Sequence, residues 1–324
     1  MALLRELGNT LGRLTGRPVA RVDEDAGDPE AGRVREAAAA RDWAAVRDVL
    51  DARPESEDRT GLLWAVGDVA GVEGWIADVV AAEPEAPLPR LVAGVRHISW
   101  AWEARTSASA RHVSREQFQV FHERLAEAET WLYEVAEREP GWTSPWYALQ
   151  VTGRGLEVGP DVARRRFEAT VRRDPHHLGA HQQRLQQLCR KWGGSHEEMH
   201  DFAHRSAFDA PGGTLLGQLV AVAHIEHWLH LDSGADARYI GQPQVIASLH
   251  RAADHSVRHR DFVPGRGSLQ VLNTFAMAFS LAGDHTAARE FFLATEGRVT
   301  EFPWYYLDGD PVASYKARRA LAGR

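Results

Sequence analysis

ARRRFEATVRRDP, residues 163–175, decides the fold when it is set beside AETWLYEVAEREP, residues 128–140. Each segment opens on a small residue, Ala163 or Ala128, with a second marker four positions on at Phe167 or Leu132. A third marker follows at Thr170 or Val135, and each segment ends on a proline, Pro175 or Pro140, 35 residues apart. Spacings of four and seven put the marked positions on one face of an α-helix. Proline lacks the N–H that would continue the helix, so it closes the run. A period of this length is the mark of stacked helical repeats.

Working outward, Pro54 and Pro84 close two earlier helical runs, and strand-like alternation is nearly absent from residue 33 onward. Ser114 with Gln117 forms a capping box, which predicts a helix from there to Glu139. Pro160 followed by Asp161 opens another, because proline suits the first turn and the acid suits the helix dipole. AFSLAGDHTAAREFFLAT (278–295) is a third unit: Ala288 and Phe292 keep the four-residue spacing, and Gly283-Asp284 makes the turn between its helices. Pro145-Trp146-Tyr147-Ala148-Leu149 is echoed by Pro303-Trp304-Tyr305-Tyr306-Leu307. On these residues the chain resembles the tetratricopeptide repeat superfamily. There, a small residue in the second helix admits close packing, a large apolar residue four later fills the gap, and proline ends the repeat. Residues 57–110 and 205–260 fit the period poorly. The resemblance implies an all-α, tetratricopeptide-like right-handed α-solenoid of about 12–15 helices, one repeat domain spanning residues 33–324.

KWGGS (191–195), preceded by a Leu/Gln-rich helix and followed by an acidic helix start, carries a narrower resemblance. It is similar to an uncharacterised family of tetratricopeptide-like proteins from GC-rich bacteria. The use of only two lysines, Lys191 and Lys316, against abundant arginine and alanine suits such a genome. This resemblance implies fold and compartment and supplies no catalytic residue.

Composition narrows the function classes. Of 324 residues, 44% are apolar and 26% charged, the proportions of a soluble globular protein. Forty-five acids against 38 bases give a formal charge of −7. That balance argues against a nucleic-acid partner, which wants a concentrated basic face. Arg164, Arg165, Arg166, Arg172 and Arg173 come nearest to one and are read as a solvated helix face. The single Cys189 rules out an intramolecular disulfide and, lying in an apolar-periodic segment, is expected to be an inert core thiol in a reducing cytoplasm. No apolar run is long enough to span a membrane, and the charged start MALLRELGNTLGRLTGR does not read as a secretory signal. Leu4, Leu7, Leu11 and Leu14 form a helical stripe over residues 1–20, expected to dock on the protein's own body, with a homodimer seam as the alternative. Residues 21–32, acidic and punctuated by glycine and proline, read as a flexible linker.

The one motif with chemical content is HEEMH, His196 to His200, with His204 a turn further on. In zinc hydrolases, histidines four apart share a helical face and the intervening Glu197 position supplies the general base. Three features oppose that reading. Ser195 and Glu198 form a capping box, which places His196 in a first turn. Glu197 and Glu198 are what a helix dipole favours at its N-terminus. Histidines at i, i+4 and i+8 span about 12 Å, too far for one ion. A metal site at His196, His200 and Glu197 is therefore the minority alternative, and no cofactor is expected. Further ligands would have to come from His177, His181, His224, His227 or His230, and the expectation is that His200 does not meet histidines of neighbouring helices.

Among the eleven tryptophans, most are read as core. Trp146, Tyr147 and Trp192, at helix starts, together with His181, are the candidate ligand-binding residues. Phosphate-loop, C-x-x-C and nucleophile-elbow motifs are absent, and GRGSLQ (265–270) lacks the third glycine of a dinucleotide fingerprint. The expected function is a cytoplasmic interaction module holding a protein or peptide in its concave face. The alternative is an enzyme or small-molecule-binding protein with a His/Trp/Tyr-lined pocket among residues 142–230.

Overall fold

A computed structural model of the chain describes residues 20–23, 25, 27–106, 113–307 and 309–323. The leucine stripe at Leu4, Leu7, Leu11 and Leu14 lies outside the described residues. The fold is all-α. Seventeen α-helices are present among the described residues: α1 (Pro29–Ala39), α2 (Trp43–Asp51), α3 (Glu57–Gly67), α4 (Val72–Ala82), α5 (Pro87–Arg105), α6 (Arg115–Arg138), α7 (Ser144–Gly155), α8 (Pro160–Val171), α9 (Leu178–Leu188), α10 (His196–Phe208), α11 (Gln218–Leu229), α12 (Ala235–Ile240), α13 (Pro243–His255), α14 (Ser268–Ala282), α15 (His285–Ala294), α16 (Glu301–Trp304) and α17 (Pro311–Ala322). Two short strands, β1 (Arg21–Val22) and β2 (Arg298–Val299), pair in parallel. No helix of the described residues is long and apolar enough to cross a membrane.

Helix ends follow the local chemistry of the sequence. Asp28, Asp42, Asp284 and Asp310 each accept a backbone N–H of the first turn they precede, satisfying donors that have no partner within the helix. Ser114 and Gln117 close the full capping box ahead of α6. Pro29, Pro87, Pro145, Pro160, Pro243 and Pro311 sit in first turns, while Pro54, Pro84, Pro140 and Pro175 follow helix ends.

Contacts divide the chain into two compact units. The N-terminal unit, Asp28–Gln187, stacks helices on their neighbours in sequence: α1 on α2 and α3, α4 on α5, α5 on α6, α6 on α7, α7 on α8. Ala128, Leu132 and Val135 of α6 are fully buried, as are Ala163 and Thr170 of α8, while Phe167 is half-buried against His181. Arg166 is also buried, bonded to Glu129, the Leu149 carbonyl and Tyr133. It therefore does not belong to the solvated arginine face expected from the sequence; a guanidinium with this many fixed acceptors tolerates the interior.

The second unit joins the start of the described chain to Leu188–Arg324. In it α11 packs on α10, α12, α13 and α14, and α14 packs on α15, α16 and α17. Trp304, fully buried, donates its indole N–H to Asn273 (2.7 Å) and packs on Phe292 and Tyr315. Residues 21–32, read from composition as a linker, contribute β1 to this unit and Asp28 and Pro29 to the start of α1 in the other.

Candidate functional site

The second unit places its histidines together. Cys189 leads into a 3-10 turn, Arg190–Trp192, from which Gly193 turns the chain at a φ of 91°. Gly194 then passes close to the end of α9: a Cβ there would lie 2.1 Å from the Leu188 carbonyl oxygen. Ser195 caps α10 by accepting the Glu198 N–H, and its hydroxyl donates to the Glu198 carboxylate (3.0 Å). Helix α10 thereby begins at His196, with its histidines turned toward α11.

His200 meets its neighbours, contrary to the sequence expectation. Its Nε2 lies 3.1 Å from His227 Nδ1 and 3.2 Å from the Tyr239 hydroxyl, which is 2.8 Å from His224 Nδ1. The reason is register: α10 and α11 pack so that His196 stacks on His227, 3.8 Å between centroids and 9° from parallel. His230 approaches the edge of His196, while His204 pairs with Ser248 instead. Burial holds the His200 and His227 imidazoles down to about 4 and His224 down to about 3, with neighbouring histidines adding in each case. His200, His224 and His227 are therefore neutral at pH 7. The cluster's central chain runs from His200, which donates toward Tyr239, to Tyr239, which donates to His224.

Beside the cluster is a cleft of about 250 Å³. Cys189, Met199 and Leu229 supply apolar walls, and Arg190, Lys191, His196 and His230 supply basic groups. The buried Glu226 carboxylate also faces it, bonded to Lys191 Nζ at 2.9 and 2.8 Å and accepting the Tyr306 hydroxyl at 2.5 Å. Burial, reinforced by Glu226, pushes the Tyr306 phenol up, so it remains a donor. Cys189 is buried, with its thiol pushed up to about 12 by burial and Glu226, which leaves it an unreactive wall.

The other candidate residues fall elsewhere. Glu197 is exposed in the first turn of α10. Among the described residues no group of three or more His, Cys, Asp or Glu side chains is arranged to hold a metal ion, so His196, His200 and Glu197 do not converge as a ligand set. Trp146, Tyr147 and His181 belong to the N-terminal unit. Trp146 lies under the Arg173 guanidinium, Tyr147 stacks on His177 and meets Trp64 edge-on, and His181 bonds the Pro175 carbonyl (3.0 Å). Trp192, largely exposed, is in the second unit.

The sequence reading also passed over Glu57. Its carboxylate accepts the Leu178 and Gly179 N–H groups at 2.8 and 2.7 Å, capping α9 from α3. Burial pushes it up to about 7, while burial takes His177 and His181 down to about 4. This is a structural joint: both ends of its geometry are helix starts. No protein-family model matches the chain, and a search of curated proteins returns no significant match.

Proposed function

We propose that this chain is a tetratricopeptide-like, right-handed helical-repeat protein of the cytoplasm whose second unit binds a small molecule in the cleft under the KWGGS turn. The repeat reading is supported by the burial of Ala128, Leu132, Val135, Ala163 and Thr170 at matching offsets and by helices stacked on their sequence neighbours. The binding reading rests on one observation, the buried Glu226 carboxylate held by Lys191 and Tyr306 at the wall of an open cleft. Burying a carboxylate is costly unless it is paired and hydrogen-bonded, and a fold that needed only a core would place an apolar side chain there.

The test is a thermal-shift screen with a fragment library. The wild type is expected to be stabilised by some fragments, and the shifts are expected to vanish in Glu226→Gln. That variant frees Lys191 and Tyr306 and costs roughly 1–2 kcal/mol of stability. Equal shifts in the folded variant would reject the cleft.

A second reading keeps the interaction module. Between α15 and α17 lies a groove of about 380 Å³ lined by Phe292 and by Leu293, which is 68% exposed. Arg289, Lys316 and Arg319 outnumber Glu296 along it. Its complement is a partner helix with an apolar face and acidic flanks. A labelled peptide of that pattern is expected to bind at least tenfold more weakly to Leu293→Ser; unchanged binding would exclude the groove.

A further inference from the structure

Resting on the cleft reading above, we infer that the cleft takes a small organic anion, a carboxylate or phosphate head carrying a short apolar body. Charge accounting leads there. The only acidic side chain in the lining is Glu226, and its oxygens are engaged by the Lys191 ammonium and the Tyr306 hydroxyl. Against that one acid stand Arg190, Lys191, His196 and His230. The residual balance is positive once Lys191 is set against Glu226.

His196 is the group that most needs a ligand. Both of its ring nitrogens are buried and neither has a hydrogen-bond partner. A neutral imidazole carries one donor and one acceptor, and leaving either unmade away from water costs free energy. Its neighbours do not answer that need, since it stacks flat on His227 and meets His230 edge-on. With the ring turned to present its N–H to the cleft, a bound anion accepts it and, as the second nitrogen protonates, holds the imidazolium.

The groups that bear on that protonation come from each packed element. The turn supplies Arg190 and Lys191, α10 supplies His196 and His200, α11 supplies Glu226, His227 and His230, and Tyr239 and Tyr306 close the set. In the free protein burial, with His230 and Arg190 adding to it, opposes charging of His196. An anion seated among them counters the part owed to His230 and Arg190 and favours the imidazolium. Binding and proton uptake are therefore linked, and affinity rises as pH falls toward the ordinary histidine range.

The rest of the ligand follows from shape. Cys189, Met199 and Leu229 form an apolar wall, which suits a few methylene groups, and about 250 Å³ is below the ~300 Å³ where pockets for drug-sized molecules begin.

The experiment is titration calorimetry at pH 6 and pH 8 with four probes: butyrate, inorganic phosphate, butanol and butylamine. Butyrate or phosphate is expected to bind, separating the carboxylate source from the phosphate source. The uncharged and cationic probes are expected to bind at least tenfold more weakly. Butyrate keeps its charge across this range, so a fivefold or greater gain at pH 6 reports the protein's own proton. Arg190→Gln, a change at an exposed side chain, is expected to weaken butyrate about tenfold. His196→Gln is expected to abolish the pH dependence while circular dichroism stays that of the wild type. Butanol or butylamine binding as tightly as butyrate would overturn the anion assignment while leaving the cleft a ligand site. The same is true of fragment hits abolished by Glu226→Gln with no anion among them. No binding of any probe, with no fragment hit in the cleft, would overturn both.

Discussion

Acidification from pH 7 to pH 5 is expected to open the second unit before the N-terminal one. Hydrogen exchange should detect it as lost protection in peptides from α10 and α11 while α3 and α9 stay protected. Burial depresses His200 to about 4 and His224 to about 3 in the folded chain. Once unfolded, both regain an ordinary histidine value near 6.5. As pH falls through 6.5 the unfolded chain takes up protons that the folded chain refuses. Stability is thus complete above about pH 7 and is lost progressively toward pH 4. At pH 5 the loss is roughly 2 kcal/mol for each of the two histidines.

In the N-terminal unit His177 and His181 behave the same way, but Glu57 has the opposite sign. Its folded value near 7 lies above the unfolded one, so its burial penalty is relieved as pH falls from 7 to 4.5, returning about 2 kcal/mol by pH 5. With His227 also depressed, the second unit is less acid-tolerant than the N-terminal one by at least roughly the contribution of one histidine. Loss of protection in α3 and α9 at the same pH as α10 and α11 would refute this assignment. Replacing His224 with Gln should raise the acid tolerance of the second unit alone.

The second large effect concerns two adjacent glycines that a sequence alignment would treat alike. Gly194→Ala is expected to destabilise the second unit by about 3 kcal/mol or more, since its Cβ would meet the Leu188 carbonyl oxygen at 2.1 Å and carbon at 2.5 Å. Backbone on both sides leaves nothing flexible to give way. Gly193→Ala meets no atom within 4 Å, so it suffers only the left-handed backbone at a φ of 91°, about 1–2 kcal/mol. Urea titrations of the two variants should rank them in that order. Equal midpoints would mean that the turn relaxes. Because the turn positions Lys191 opposite Glu226, Gly194→Ala should also empty the cleft of its fragment hits.

Much of the helical frame was legible because its signals are local. Ala128, Leu132, Pro140 and the caps at Ser114 and Asp284 act through residues within one or two turns of themselves. The 12–15 helices expected became seventeen among the described residues because α12 and α16, of six and four residues, are too short to show a period. The site was less legible. HEEMH drew attention to the right helix for the wrong partner set, since Tyr239 and Tyr306 arrive from distant elements and Glu197 faces away from burial. A usable clue was present in QLVAVAHIEHWL, where Glu226 is the only acid in a mainly apolar helix. The pairing of His200 with His227 depends on how α10 registers on α11, which no spacing within either helix encodes.

The pairing of β1 with β2 sets a timetable for synthesis. Arg21 and Val22 leave the ribosome more than 270 residues ahead of their partners Arg298 and Val299. Between them the whole of Asp28–Gln187 is made, and it can close around its own core while translation continues, as N-terminal domains generally do. The second unit must wait: β1 stays an open edge until Arg298 and Val299 emerge. A nascent chain stalled at residue 290 should therefore protect α5 and α6 from protease while leaving Arg21 cleavable.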